Sequence, residues 1–214
     1  LKPEELDQKK TAVVMIWDAV TGELKQKYDL TGDILTDLKF SPDGNLLAAD
    51  GNEMGVTLWS TATGEKIHTL DDERRPLRPG ESRTTEYFGS VEGKPTLAFT
   101  ADGKHFARSH NGVVKFWNVE TGAVEKTITE PQDVQARITS LIALTPDGKT
   151  LAMTNLRRGL SLWDVPNDKP LWSPTEKSRV SMMGMSPDGK TLATGSGGEI
   201  RLWDISKAAE GIVQ

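Results

Sequence analysis

Apolar and polar residues along this chain fall into short runs, each closed by a tight turn, and the runs recur in the same order. The clearest unit reads RVSMMGM (Arg179–Met185), the turn SPDG (Ser186–Gly189), KTLAT (Lys190–Thr194), a Gly-rich turn, and EIRLW (Glu199–Trp203). The runs are rich in Val, Ile, Leu and Thr and too short for helices, which predicts β-strands. Asp-Gly supplies the positive φ that a tight turn needs, and Pro presets φ just before it.

Two markers repeat in register. Trp17, Trp59, Trp117, Trp163 and Trp203 each close an apolar run, at spacings of 42, 58, 46 and 40 residues. The turns Ser41–Gly44, Thr100–Gly103, Thr145–Gly148 and Ser186–Gly189 precede the last four of them, with 15 or 16 residues from turn Asp to Trp. A period of ~40–45 residues carrying this pair of markers is that of a propeller blade. Each unit then predicts four antiparallel strands, a to d, with the Trp ending strand c.

In its "IWD", "LWD" and PDG elements the chain resembles the WD-repeat β-propeller family over roughly residues 11–206, and Ser186–Asp204 is most similar to bacterial members. The resemblance implies an all-β propeller of four-stranded antiparallel blades, about four and a half of them. Residues 11–30 are expected to form half a blade (strands c and d), 34–70, 95–128 and 138–172 whole blades, and 179–206 a blade lacking its outer strand. With no a–b pair for the first blade and no strand d for the last, an arc of a larger propeller is expected. The remaining blades would come from the parent chain or from another chain. A chain opening on Leu1 is expected to be a trimmed or processed piece.

Composition narrows the function. Net charge is −5, so a general nucleic-acid binder, which would be basic, is not expected. There is no cysteine, hence no disulfide or thiol chemistry. The longest apolar run, Ala12–Trp17, falls far short of the ~20 residues of a membrane helix, so no membrane insertion is expected. The N-terminus lacks a signal-peptide core, which points to a cytoplasmic rather than an exported protein without establishing the compartment.

No phosphate loop, calcium loop or Ser-His-Asp order is present. His105 and His110 fall on opposite faces of one strand, unsuited to a shared metal. The turn aspartates are accounted for by the turns. No catalytic residue, metal ligand or cofactor is therefore assigned. Many WD repeats carry a His before strand a and an Asp in the b–c turn. Here the position six before each Trp holds Thr11, Glu53, Asn111, Arg157 and Gly197, so the buried polar network that the resemblance implies is not expected. The five repeat-position tryptophans read as inter-blade core, while Trp172, in strand d of the fourth blade, is either packing or an exposed anchor.

Residues 71–94 lengthen one d–a connection and carry Arg74, Arg75, Arg78, Arg83, Tyr87 and Phe88, and Arg157 and Arg158 lie in a b–c loop. In the family's blade geometry these connections share one face. Arg and aromatic side chains suit interface anchors, and Arg suits carboxylates and phosphates. The expected function is a non-catalytic scaffold binding a protein or peptide segment, acidic or phosphorylated, on that loop-rich face. Alternatives are an accessory propeller of a larger bacterial enzyme or signalling protein, and an enzyme with its site in the propeller. The opposite face is the more acidic, its c–d turns contributing about −5.

Overall fold

A computed structural model describes residues 11–31, 35–51, 55–70, 96–110, 113–129, 139–155, 159–173, 180–211 and 213. The described residues form seventeen strands in five antiparallel sheets. The first sheet pairs β1 (Thr11–Trp17) with β2 (Leu24–Thr31). The second is β3 (Leu35–Phe40), β4 (Leu46–Gly51), β5 (Gly55–Ser60) and β6 (Lys66–Leu70). The third is β7 (Leu97–Phe99), β8 (His105–His110), β9 (Val113–Asn118) and β10 (Val124–Thr129). The fourth is β11 (Thr139–Leu144), β12 (Thr150–Asn155), β13 (Gly159–Asp164) and β14 (Lys169–Trp172). The fifth stops at three strands, β15 (Met182–Met185), β16 (Thr191–Ser196) and β17 (Glu199–Asp204). Every sheet is an up-and-down meander, so each is one blade.

Blades pack face to face in chain order, each boundary holding one buried cluster. Val14, Tyr28 and Leu30 of the first blade cover Leu47, Ala49 and Trp59 of the second. Val56, Leu58 and Leu70 of the second meet Leu97, Phe106 and Trp117 of the third. Val114, Phe116 and Ile128 then meet Ile142, Leu151 and Trp163, and Leu160 and Leu162 meet Leu192 and Trp203. The alternation of the strands produces this: Leu58 and Trp59 are neighbours in sequence, and their side chains face opposite blades.

The Trp positions are therefore not equivalent in burial. Trp59, Trp117 and Trp163 are buried, and Trp117 stacks on Phe106 at 5.1 Å and 10°. Trp203 is half-buried. Trp17, read as inter-blade core, is instead 56% exposed, because no blade lies against its side of β1 among the described residues. Trp172 is a packing residue, edge-on to Trp203 with centroids 5.3 Å apart. Among the described residues no fourth strand follows β17. The chain turns through a 3₁₀ segment, Ala208–Glu210, whose buried Ala208 joins the cluster between the fourth and fifth blades.

Candidate functional site

Each blade has two ends. The a–b and c–d turns lie at one, and the b–c and d–a connections at the other. The turn end is built from one repeated device. In all four complete a–b turns the Ser or Thr hydroxyl donates to the turn Asp: Ser41 to Asp43 at 2.5 Å, Thr100 to Asp102 at 2.6 Å, Thr145 to Asp147 at 2.7 Å and Ser186 to Asp188 at 2.6 Å. The same hydroxyl oxygen accepts the first N–H of strand b, from Leu46, His105, Thr150 and Thr191. The Asp carboxylate accepts the N–H of the residue two further on.

These bonds hold the carboxyls of Asp43, Asp102 and Asp188 below the ordinary carboxylate value, the hydroxyl donor being the largest cause. In the c–d turns Asp164 is lowered by Asn167 and Asp204 by Ser206, and Asp18 is lowered furthest, by Lys25 at 2.6 Å and the N–H groups of Thr21 and Val20. The two kinds of turn are tied together in the second to fifth blades. The N–H of Thr61, Val119, Val165 and Ile205 donates to the carbonyl of Asn45, Lys104, Lys149 and Lys190. The turn end is thus an array of ionised carboxylates whose hydrogen-bonding capacity is largely consumed within the turns.

A second repeated device clasps the outer strands. Opposite the residue preceding Trp on each strand c stand Gln26, His68, Lys126 and Trp172 on strand d. His68 Nε2 donates to the Glu120 carbonyl of the next blade at 3.0 Å, Lys126 Nζ donates to the Val165 carbonyl, and Trp172 packs on Trp203. Gly122, at φ +69°, leaves His68 its room, since a Cβ there would sit 3.2 Å from Nδ1. The fourth blade departs from this glycine: Asp168 takes the left-handed conformation, φ 52°, and accepts the Trp163 indole N–H at 3.1 Å.

A buried polar network does exist, in a place the sequence pattern did not indicate. Arg108 of β8 and Asp50 of β4 are 2% and 0% exposed and pair across the second and third blades through Nε–Oδ2 and NH2–Oδ1, each 2.9 Å. Nearby, Thr96 Oγ1 lies 3.2 Å from Ser109 Oγ, and the Thr36 hydroxyl donates to the Asp50 carbonyl. The signal available in sequence was a charge inside each of two apolar b strands, LLAADG and HFARSH. Enclosed between blades, this pair is a structural element and not an accessible site.

The residues expected to bind a partner, Arg74, Arg75, Arg78, Arg83, Tyr87, Phe88, Arg157 and Arg158, lie outside the described residues. Their flanking strand ends do not: β6 ends at Leu70, β7 begins at Leu97, β12 ends at Asn155 and β13 begins at Gly159. In these meanders all four points are at the end opposite the carboxylate turns. His105, one of the few imidazoles in the chain, has Nε2 3.0 Å from Glu125 Oε2. Among the described residues no group of three or more His, Cys, Asp or Glu is placed to hold a metal ion, and no helix is long and apolar enough to cross a membrane.

Comparison with known proteins gives one family and several distant relatives. The family model described as outer membrane protein assembly factor BamB, of PQQ_2 repeats, matches residues 8–212. The chain is 23% identical to protein tipD of Dictyostelium discoideum over 73% of this chain and 22% of that protein. It is 26% identical to WD repeat-containing protein SL1-17 of Schistosoma mansoni over 71% of this chain and 44% of that protein. It is 29% identical to eukaryotic translation initiation factor 3 subunit I of Aspergillus oryzae over 58% of this chain and 31% of that protein. The chain thus spans less than half the length of each of these relatives.

Proposed function

The chain belongs to the repeat family described as outer membrane protein assembly factor BamB, within a propeller architecture it shares with WD-repeat relatives, and from that premise we propose that it is a non-catalytic scaffold that binds a protein or peptide segment on its loop-rich face. The observation that carries this reading is the division between the two ends of the blades. One end is occupied by short turns whose polar groups bond one another. The other is where the sequence places its one long insertion and six arginines. Long connections in compact domains are commonly functional, and Arg with aromatic neighbours anchors interfaces.

The partner segment is acidic or phosphorylated in this reading, because Arg74, Arg75, Arg157 and Arg158 supply bidentate donors for carboxylate or phosphate. Pull-down with the whole chain, followed by substitution of all four by Ala, tests it. Affinity should fall markedly, and binding to the unsubstituted chain should weaken with salt, since exposed charges are screened within ~10 Å at ~0.1 M. Unchanged affinity in the four-Ala variant would remove the proposal.

A second reading is favoured by the apolar surface exposed on the first and last blades. In it the chain is the accessory propeller of a larger enzyme or signalling protein. A bacterial origin for such a parent rests on the Ser186–Asp204 resemblance alone, since the relatives named above are eukaryotic.

A further inference from the structure

The buried ion pair lies at the boundary that residues 71–94 bridge. These residues follow Leu70, the last of β6, and the chain rejoins the blades at β7, which opens on Leu97. Asp50 is one residue from the end of β4, and Arg108 two from the end of β8, so both stand near the loop-rich end. Strand register makes them half of a set of four. Asp37 is opposite Asp50 in the second blade, and Leu97 is opposite Arg108 in the third. Arg108 Nε donates to Asp50 Oδ2, and its NH2 lies 2.9 Å from Asp50 Oδ1. The N–H of Leu97 donates to Asp37 Oδ2, also at 2.9 Å, while Asp37 Oδ1 accepts the N–H of Leu38. Each blade supplies two residues, and two polar bridges cross between them. Carboxylates opposite one another on one sheet face repel, and the guanidinium supplies the compensating charge.

The repeat does not demand this charge. At the next two boundaries the strand-b positions of Asp50 and Arg108 are held by Ser109 with Met153, and by Thr154 with Thr194. All four are uncharged. The backbone bridge does recur, since the N–H of Ile142 donates to Thr96 Oγ1 at 2.9 Å. The ion pair thus coincides with the inserted connection rather than with the blade. Stability does not account for it either. Apolar residues of similar volume commonly match a buried ion pair in stability, and what such a pair adds is selection of one register.

We propose that Asp37, Asp50 and Arg108 are positioning residues for the loop-rich face. They lock the third blade onto the second in one register, and so fix how far apart Leu70 and Leu97 stand, the two points that residues 71–94 connect. An apolar contact can slide by a fraction of a residue at little cost. Two charge-assisted bridges at 2.9 Å cannot, because displacement leaves buried polar groups without their partners. The functional weight of the lock rests on the reading of the loop-rich face as the partner-binding surface. The lock itself is measured without a partner.

The chain has no cysteine, so Thr69→Cys and Thr129→Cys can carry spin labels. Both positions are exposed and near the loop-rich ends of β6 and β10, and their separation reports the register of the two blades. One narrow distance distribution is expected. Asp50→Leu with Arg108→Met should broaden or split it while leaving the melting temperature nearly unchanged. Asp50→Glu with Arg108→Lys, which keeps both charges at similar total reach, should keep it narrow. Asp37→Ala should speed amide exchange at Leu97 by about tenfold or more. Polyglutamate, titrated by calorimetry as the probe for binding, should lose about tenfold in affinity in the Leu–Met variant, and most of its affinity when Arg74, Arg75, Arg157 and Arg158 become Ala. A distribution that stays narrow in the Leu–Met variant overturns the proposal. So does broadening that comes only with a lowered melting temperature or equally in the Glu–Lys variant, and so does unchanged exchange at Leu97. Unchanged polyglutamate affinity in the Leu–Met variant, where the four-arginine variant does lose affinity, overturns the positioning role. A broadened distribution with polyglutamate binding absent, or unmoved by the arginine changes, upholds the lock and removes the binding reading instead.

Discussion

The Asp50–Arg108 pair shows how a single residue's contribution depends on its partner. Taking either ion out of water costs several kcal/mol, which the Nε–Oδ2 hydrogen bond and the close NH2–Oδ1 ion-pair contact, each 2.9 Å, offset. Asp50→Ala or Arg108→Ala strands a buried charge and should cost about 3–5 kcal/mol in chemical denaturation. Replacing both by apolar residues of similar volume should be nearly neutral, and a double variant as poor as the single ones would mean that the pair contributes more than its desolvation. Asp168 sets two smaller effects against each other. Asp168→Gly removes left-handed strain but loses the Trp163 bond and should be close to neutral, whereas Asp168→Ala keeps the strain and loses the bond. The turn carboxylates add a pH dependence whose sign is determined. Their folded-state values lie below the ordinary value of ~4, so the stability they contribute is fully present above that value and is lost as pH falls through the folded ones. Denaturation midpoints followed from pH 7 to pH 2 should decline below about pH 4, and Asp188→Asn should flatten that decline.

At the scale of the blade, the repeat is held by devices local enough to be read before folding. The SPDG and TPDG turns carry their own hydroxyl, carboxylate and glycine, so their strands and phase follow from a few adjacent residues. The Trp position follows from the same phase. Burial of that Trp does not, because it depends on the neighbouring blade: Trp163 is enclosed by the third blade, while Trp17 has no such cover. Trp163→Ala should therefore cost about 3–5 kcal/mol and Trp17→Ala only about 1 kcal/mol, measured on the same denaturation curve. Equal costs would contradict this order of blades. The Asp50–Arg108 pair was hidden for a related reason. Its members lie 58 residues apart on different blades, and no local pattern links them. Of the proposed binding residues, only the end of the blade from which they depart could be argued from strand order.

At the scale of the whole molecule, the two outermost faces carry the two complementary sides of the contact repeated between successive blades. The side of each blade that meets the next is made by strand c residues such as Val56 and Leu58, Val114 and Phe116, or Leu160 and Leu162, all buried. In the last blade these positions are Ile200 and Leu202, 80% and 69% exposed. The side that meets the preceding blade carries the repeat Trp, and in the first blade Trp17 stands uncovered with Met15 and Val13 beside it. Among the described residues no buried cluster joins the fifth blade to the first, so the five sheets form an open arc. Apolar strand faces of this kind are unstable in water and are normally capped in repeat proteins. Because these two faces are complementary and differ from one another, any association between copies through them would be head-to-tail, a heterologous contact that closes into a ring or continues as a filament. Sedimentation of the 214-residue chain should accordingly show concentration-dependent association. Ile200→Asp with Leu202→Asp, both at exposed positions, should abolish association while leaving the circular dichroism and melting temperature unchanged. A monomer at every concentration, before and after those substitutions, would show that the open faces are closed on each other within one chain.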